Sequence, residues 1–232
     1  MPDRVLGLDA PAWGEAPTLL VGGTFDPVHE AHVRLADEAR GLALGGEGEV
    51  VFVPAARSPH KGEAPVASDF QRVEMLGLAL LRIERASVWT VEIERTKPGQ
   101  ASYWIDTLRE AGELCPGELR FLIGADQALA FHRWREAREI LDTARPVVIP
   151  RGSISTAEGL RAELERLGVW DRQELDRWAS WFTPTGELNV SATAIREALA
   201  DPARREAPIE GLDPRVHAYI LRHDLYRASA DD

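Results

Sequence analysis

The chain has 232 residues, of which 44% are hydrophobic and 28% are charged, and its formal net charge is −11. This length predicts one large α/β domain that needs no covalent staples, and the single cysteine, Cys115, excludes an intramolecular disulfide. The negative charge argues against a general binder of nucleic acid or of an anionic membrane. Neither a membrane-helix pattern nor a secretory-signal pattern is present, so we expect a cytoplasmic protein.

Strand and helix patterns alternate along the whole chain. Apolar and β-branched runs predict strands over Thr18–Gly22, Glu49–Pro54, Ser87–Ile93, Leu119–Gly124 and Pro146–Pro150. Apolar residues at helical spacing predict helices over Ala31–Leu42, Ser68–Leu81, Tyr103–Glu110, Asp126–Ala130, Trp134–Leu141, Ser155–Leu167, Ser191–Leu199 and Pro214–His223. Helix-start signals are capping boxes at Ser68/Gln71 and Ser155/Glu158, and Asp213 before Pro214.

This alternation predicts a Rossmann-like open parallel sheet with helices on both faces and a small C-terminal helical portion. In such sheets ligands bind beyond the carboxyl ends of the strands, near the switch in strand order. The least regular stretch contains three tryptophans, Trp170, Trp178 and Trp181. We expect them to pack an appended helix, with a contact between copies in a homo-oligomer as the alternative.

The first candidate site follows the first predicted strand, where Gly22 and Gly23 lead into Thr24, Phe25 and a helix that carries His29 and His32. Two glycines let the backbone approach a ligand, and the unpaired N–H groups of a helix start attract phosphate. Histidines three residues apart share one helical face and can each donate to a phosphate oxygen. No third ligand accompanies them, so we do not expect a zinc site.

A second candidate site lies near the other end of the chain, where Ser191 is a predicted helix cap. The hydroxyl groups of Ser191 and Thr193 and the guanidinium of Arg196 fall within the first turn and a half of that helix. Together with free N–H groups they suit a polyphosphate. On pattern alone, a capped amphipathic helix with a surface arginine is an equally good interpretation.

Both segments resemble known motifs. GGTFDPVHEAH is similar to the N-terminal signature of the nucleotidyltransferase superfamily, His-x-Gly-His, and most resembles the bacterial nicotinate mononucleotide adenylyltransferases. Ala31 stands where that family has glycine, and Ala192 replaces the second serine in the family's Ile-Ser-Ser-Thr-x-x-Arg. The resemblance runs from Leu20 to Tyr226 and is weakest over Ser153–Glu187.

The resemblance implies adenylyl transfer from ATP to nicotinate mononucleotide, with release of pyrophosphate and with Mg²⁺ held mainly by ATP phosphates. His29, His32 and Arg196 would be catalytic. The implied ATP-binding residues are Gly22, Gly23, Thr24, Phe25, His29, His32, Ser191, Thr193 and Arg196. We therefore expect an N-terminal extension over 1–17, a nucleotide-binding α/β domain over 18–188 and a helical portion over 189–232 that completes the ATP site.

The acceptor side is implied by three further likenesses. Lys61 lies in a Pro-His-Lys element, and Trp134 matches the family tryptophan that stacks on the pyridine ring. Tyr103 belongs to an element similar to Pro-Ser-Tyr-Thr-x-x-Thr-Leu, and Thr90 lies near an acceptor position. Asp126 suits either a ribose contact or a helix cap. Ala101 and Trp104 depart from the family pattern.

Several alternatives remain open at the level of the sequence. The same chemistry on nicotinamide mononucleotide or a phosphopantetheine would use the same motifs. A class I aminoacyl-tRNA synthetase would need a Lys-rich second motif and a tRNA-binding domain, and the sequence offers neither. A non-catalytic nucleotide sensor would keep the phosphate loop but would not need both histidines and Arg196.

Overall fold

The computed structural model of the chain describes residues 11–57, 64–97 and 100–228. Within these ranges one sheet holds five strands: β1 (Thr18–Gly23), β2 (Glu49–Pro54), β3 (Ala86–Val88), β4 (Leu119–Gly124) and β5 (Arg145–Ile149). The strand order is β3-β2-β1-β4-β5, and every neighbouring pair is parallel. The α/β fold with an open parallel sheet is therefore confirmed.

Helices connect the strands and continue beyond the last one. They are α1 (Glu30–Leu44), α2 (Asp69–Leu80), α3 (Val91–Arg95), α4 (Trp104–Leu114), α5 (Ala125–Ala130), α6 (Ala137–Thr143), α7 (Ala157–Leu167), α8 (Arg172–Ser180), α9 (Ala192–Ala200) and α10 (Pro214–Arg222). Among the described residues no helix is both long and apolar enough to cross a membrane.

Three helix starts obey the capping signals of the sequence. Ser68 and Gln71 form the predicted capping box at α2. Ser191 caps α9 by accepting a hydrogen bond from the Ala194 amide, and Asp213 caps α10 ahead of Pro214. Each of these caps satisfies an amide that a helix start leaves without an internal partner.

Three local predictions were wrong, and one helix was not predicted. Residues 91–93 begin α3 rather than continuing β3, which ends at Val88. A short 3₁₀ helix over Phe131–Arg133 precedes Trp134, whose backbone is extended, so the helix predicted from Trp134 begins only at Ala137. Thr156, not Ser155, caps α7. The sequence analysis did not predict α8, whose start carries an Asp171/Glu174 capping box.

The sheet separates two hydrophobic clusters because alternate side chains of each strand point to opposite faces. Leu19 on β1 belongs to the cluster that α1, α2, α9 and α10 cover. Leu20 belongs to the cluster that α4, α5, α7 and α8 cover. Both leucines are fully buried, as expected for a parallel sheet with helices on both faces.

The tryptophans of the irregular segment pack within the second cluster. Trp178 on α8 is fully buried, and its ring lies 5.5 Å from that of Trp170 and 5.2 Å from those of Trp181 and Phe131. Trp181 and Thr183 extend the sheet edge, because they exchange backbone hydrogen bonds of 2.9 and 2.7 Å with Val148 on β5. Packing of an appended helix, the preferred prediction for these tryptophans, is confirmed.

Candidate active site at the carboxyl ends of β1 and β4

A cleft of about 510 Å³ opens where the strand order reverses, beyond the carboxyl ends of β1 and β4. This is the position at which parallel sheets bind ligands, because the connections on its two sides diverge there. The predicted site residues that line it are Gly22, Gly23, Thr24, His29, His32, Asp126 and Trp134. The fold therefore brings together residues that are more than 100 positions apart in the sequence.

The turn after β1 has no room for side chains at its two glycines. A Cβ on Gly22 would lie 2.8 Å from the ring of Trp104, and one on Gly23 would lie 2.8 Å from the ring of Phe25. Phe25 itself has a left-handed backbone with φ of 51°, which is uncommon for a bulky residue. Its ring is 1% exposed and packs edge-on against Phe52 and His32. The Phe25 ring thus packs in the core beneath the turn and does not line the cleft.

Asp26 anchors this turn to two distant parts of the chain. Its buried carboxylate accepts hydrogen bonds from the amides of Val66 and Ala67, at 2.8 and 3.0 Å. It also accepts one from the hydroxyl of Tyr226, at 2.7 Å. Burial and the bond to this carboxylate raise the pKa of the Tyr226 phenol far above its usual range, so Tyr226 remains a donor. The segment before α2 and the C-terminal segment are both held on the turn.

A buried arginine holds the other side of the same turn. Arg72 is 0% exposed, donates to the Thr24 carbonyl at 2.7 Å and pairs with Asp69 at 2.5 Å. A buried guanidinium needs such partners, because an unpaired charge in the interior is costly. The sequence analysis missed Arg72. Its signal was a charged residue at an inward-facing position of α2, one turn before the buried Met75 and Leu76.

The two histidines meet through the start of α1 rather than along its face. His29 is the extended N-cap residue, and His32 is the third residue of the helix. Their imidazoles stack with centroids 3.7 Å apart, and the His29 backbone N–H donates to Nδ1 of His32 at 3.3 Å. In the neutral ring the proton then lies on Nε2, which is the nitrogen able to donate to a ligand. His29 is 6% exposed and His32 is partly exposed, and both line the cleft.

The late serine–threonine segment reaches the same turn. Arg196 donates from Nη1 to the Asp26 carbonyl at 2.7 Å, and its Nη2 donates to the Thr193 hydroxyl at 3.3 Å. Ser191 and Thr193 are exposed at the start of α9, where the Ser191 hydroxyl accepts the Ala194 amide at 3.2 Å. The guanidinium thus lies beside the turn that carries the histidines, although these three residues do not line the cleft itself.

On the opposite wall, Asp126 and Trp134 line the cleft. Asp126 is exposed within the first turn of α5, and Gly124 is the N-cap residue of that helix, so Asp126 is not its cap. Trp134 is half-buried, and its ring packs on Phe131 with centroids 4.9 Å apart. An exposed carboxylate and an indole face are suited to the hydroxyl groups and the flat ring of a nucleoside.

The remaining acceptor-side predictions lie away from the cleft or beyond the described residues. Thr90 precedes α3, and its hydroxyl donates to Glu94. Tyr103 precedes α4, and its ring lies beneath the guanidinium of Arg135 at 4.7 Å. Neither lines the cleft. Lys61 falls between residues 57 and 64, outside the described ranges.

Five polar or aromatic residues that line the cleft were not predicted as site residues: Glu92, Ser102, Trp104, Gln127 and Arg151. Glu92 is 4% exposed, and burial raises the pKa of its carboxyl above the usual value, against the hydrogen bonds from Ser102 and Thr107. Its signal in the sequence was weak, because a glutamate in a charged stretch reads as a solvated surface residue. Only the packing of α3 against α4 reveals that it is buried.

The comparisons with known proteins agree with this geometry. Residues 20–198 match the cytidylyltransferase-like family. A probable nicotinate-nucleotide adenylyltransferase of Chromobacterium violaceum is 38% identical over 218 residues, which cover 89% of this chain and 96% of the relative. One of Pelobacter propionicus is 42% identical over 225 residues, with 89% and 96% covered.

A solved structure with the same fold is the Plasmodium falciparum nicotinic acid mononucleotide adenylyltransferase complexed with NaAD. It superposes with a TM-score of 0.65 at 18% identity, over 90% of this chain and 97% of that one. At this identity the likeness concerns the fold alone.

Replacing Tyr226 by phenylalanine tests the anchor of the turn. We expect Tyr226→Phe to lower the free energy of unfolding by about 1–3 kcal/mol, because a buried carboxylate loses one of its hydrogen bonds. Urea denaturation followed by circular dichroism measures the loss. Tyr219→Phe is the matched control, since the half-buried Tyr219 packs its ring on His223 and is not a donor to Asp26. Equal stability of the two variants would contradict the anchoring role.

Proposed function

The chain belongs to the nicotinate-nucleotide adenylyltransferases of the cytidylyltransferase-like family, and we propose that its cleft joins ATP to nicotinate mononucleotide. A phosphate oxygen of the acceptor attacks the α-phosphorus of ATP and forms a new P–O bond. The bond from that phosphorus to the oxygen bridging to the β-phosphorus breaks. The products are nicotinate adenine dinucleotide and pyrophosphate, and no covalent enzyme intermediate is required.

The observation that carries this proposal is the meeting of the two ends of the chain around the glycine turn. Arg196 donates to the Asp26 carbonyl at 2.7 Å, across 170 positions of sequence, and His29 follows Asp26 by three residues. Cationic and N–H donors from both ends therefore surround one backbone turn. Transfer between two anions needs such donors, because catalysis here consists of positioning the reactants and stabilising charge.

We assign the reacting α-phosphate to His29 and His32. The stacked imidazoles line the cleft beside the glycine turn, and in the neutral ring of His32 the proton lies on Nε2. A donor placed where charge develops stabilises the transition state more than the ground state. Backbone groups of Gly22, Gly23 and Thr24 lie alongside and would contact the same nucleotide.

We assign the β- and γ-phosphates to Ser191, Thr193 and Arg196 at the start of α9. The Ser191 hydroxyl already caps the helix, so this helix start presents an ordered set of amides, a free helix dipole end and a guanidinium. Arg196 keeps its plane fixed through the Asp26 carbonyl and the Thr193 hydroxyl. A fixed guanidinium loses little freedom when it pairs with phosphate.

The metal ion enters as part of the substrate. Among the described residues no group of three or more His, Cys, Asp or Glu side chains could hold a metal ion. The described ranges therefore offer no resident cage, and Mg²⁺ would arrive bound to ATP phosphates and water, as this ion commonly does. Its contribution is to neutralise phosphate charge, while the protein residues orient and donate.

The acceptor would occupy the side of the cleft formed by Asp126 and Trp134. The indole of Trp134 would stack on the pyridine ring, and Asp126 would accept hydrogen bonds from the ribose. Tyr103, Thr90 and Lys61 belong to the same proposal through the family resemblance. A flat heteroaromatic acceptor suits an indole wall better than the flexible chain of a phosphopantetheine. We also propose a cytoplasmic enzyme without a nucleic-acid partner, in keeping with the net charge of −11.

Pyrophosphate release with MgATP tests the activity directly. The acceptor panel consists of nicotinate mononucleotide, nicotinamide mononucleotide and 4′-phosphopantetheine. We expect the highest kcat/KM with nicotinate mononucleotide. If no acceptor of the panel supports pyrophosphate release, the non-catalytic sensor would be favoured. A higher kcat/KM with nicotinamide mononucleotide would reassign the substrate.

His32→Ala tests the transition-state donor. Loss of a donor aimed at developing charge typically lowers kcat by about 10²–10³. We expect a loss of that size in the pyrophosphate assay while the circular dichroism spectrum stays unchanged. His223→Ala, which removes an exposed imidazole, serves as the matched control and should keep kcat within about twofold. A fully active His32→Ala enzyme would refute the assignment.

Trp134→Ala tests the stacking wall. Stacking on an aromatic side chain is worth about 1–3 kcal/mol per base, so we expect KM for nicotinate mononucleotide to rise by about tenfold or more. KM for ATP should stay nearly constant, and Trp134→Phe should restore most of the acceptor affinity. Steady-state kinetics with each substrate varied in turn provide the comparison. An equal rise in both KM values would place Trp134 outside the acceptor site.

A further inference from the structure

A buried carboxylate links two helices on the wall of the cleft. Glu92 lies on α3, is 4% exposed and lines the cleft. Its Oε2 accepts a hydrogen bond from the Ser102 hydroxyl at 2.5 Å, and its Oε1 accepts one from the Thr107 hydroxyl at 2.7 Å. Thr107 lies on α4, and Ser102 comes just before that helix. Glu92 therefore ties the start of α4 to α3.

The connections of this carboxylate extend in two further directions. Arg95 donates to the Thr107 hydroxyl at 2.9 Å and pairs with Glu110 on α4, also at 2.9 Å. The backbone N–H of Ser102 donates to the Arg57 carbonyl at 3.2 Å, in the segment after β2. The start of α4 is thus held both by α3 and by the segment that follows β2.

Of the two residues that follow Ser102, only Trp104 faces the site. Trp104 lines the cleft, and the edge of its ring lies against Gly22 of the phosphate turn. Tyr103 is held by the Arg135 guanidinium above its ring. Trp104 also packs toward the acceptor side, because its ring lies 6.3 Å from that of Phe121, which stacks on Phe131, and Phe131 in turn packs against Trp134. A shift of the first turn of α4 would therefore disturb the packing that supports Trp134.

Keeping a carboxylate at this place works against folding stability. Desolvation raises the pKa of Glu92, the hydroxyls of Ser102 and Thr107 and the charge of Arg95 oppose the rise, and Asp106 adds to it. Above its raised pKa the ionised group therefore disfavours the folded state. A buried charge on a cleft wall is typical of a residue retained for function.

We propose that Glu92 is a positioning residue for the acceptor nucleotide. By holding the hydroxyls of Ser102 and Thr107 it sets the first turn of α4, and through Trp104 it shapes the wall against which the acceptor binds. The inference rests on the proposed function. It assigns Glu92 no contact with the reacting phosphorus, so it predicts an effect on acceptor affinity rather than on the chemical step.

A pair of substitutions separates positioning from packing. Glu92→Leu keeps the bulk but removes the carboxylate that accepts from both hydroxyls and joins α3 to the start of α4, and we expect KM for the acceptor to rise about tenfold. Glu92→Gln should restore KM to within about threefold, because its amide oxygen can accept from Thr107 while its nitrogen donates to Ser102. The Ser102 proton can then turn to the Arg57 carbonyl, 3.5 Å away. In both variants kcat should change by less than about twofold, and KM for ATP should rise by less than KM for the acceptor.

Glu113→Leu is the matched control, because Glu113 is an exposed glutamate of the same helix α4. It should leave all three kinetic constants unchanged. The inference is overturned if folded Glu92→Leu keeps the wild-type acceptor KM. It is equally overturned if both KM values and kcat deteriorate together, or if Glu92→Gln is no better than Glu92→Leu.

Ser102→Ala keeps the test decisive if Glu92→Leu does not fold. It removes one of the two hydroxyls, and the acceptor KM should rise by about three- to tenfold with kcat retained. The acceptor used in these measurements is the compound of the panel that the wild-type enzyme converts with the highest kcat/KM. Failure of nicotinate mononucleotide as a substrate would therefore overturn the proposed function, while the effect of Glu92 on the acceptor KM would still be measured.

Discussion

The site depends on one buried carboxylate, that of Asp26. It lies in the turn after β1 and accepts hydrogen bonds from the amides of Val66 and Ala67 and from the hydroxyl of Tyr226. A carboxylate removed from water must be satisfied in this way, because its desolvation costs several kcal/mol. Its three donors come from the segment before α2 and from the C-terminal segment. The need to satisfy one charge thus draws distant parts of the chain onto the turn that carries the histidines.

Backbone carbonyls of that turn are also satisfied by side chains from distant segments. The carbonyl of Asp26 accepts from Arg196, and the carbonyl of Thr24 accepts from the fully buried Arg72. The protein carries a net charge of −11, yet it gathers two guanidiniums and two imidazoles around a single turn. Screening by salt weakens interactions between exposed charges that are more than about 10 Å apart. A polyanionic substrate therefore responds to these local donors more than to the net charge of the protein. An acidic protein can bind ATP for this reason.

Two of the departures from the family pattern, Ala31 and Trp104, fall on the wall of the cleft. Ala31, which replaces a glycine, is 5% exposed and lines the cleft beside the histidines. Trp104 replaces a threonine and packs its ring edge against Gly22. Each adds apolar volume close to the phosphate turn, because each is larger than the residue that the family motif has at the same position. The buried contacts of Glu92 with Ser102 and Thr107 hold this enlarged wall in place.

The sequence alone determined the parallel sheet and the bounds of four of its five strands to within a residue or so. The caps at Ser68, Ser191 and Asp213 were determined as well. These features follow from local periodicity and local hydrogen bonds. The sequence also singled out the two phosphate motifs. Only the tertiary structure decided that Glu92 is buried, that Arg72 donates to the Thr24 carbonyl and that Tyr226 reaches Asp26, since burial and pairing depend on which segments pack together. Long-range contacts of this kind leave no periodic trace in the chain, and so the polar network that supports the site had to be read from the fold.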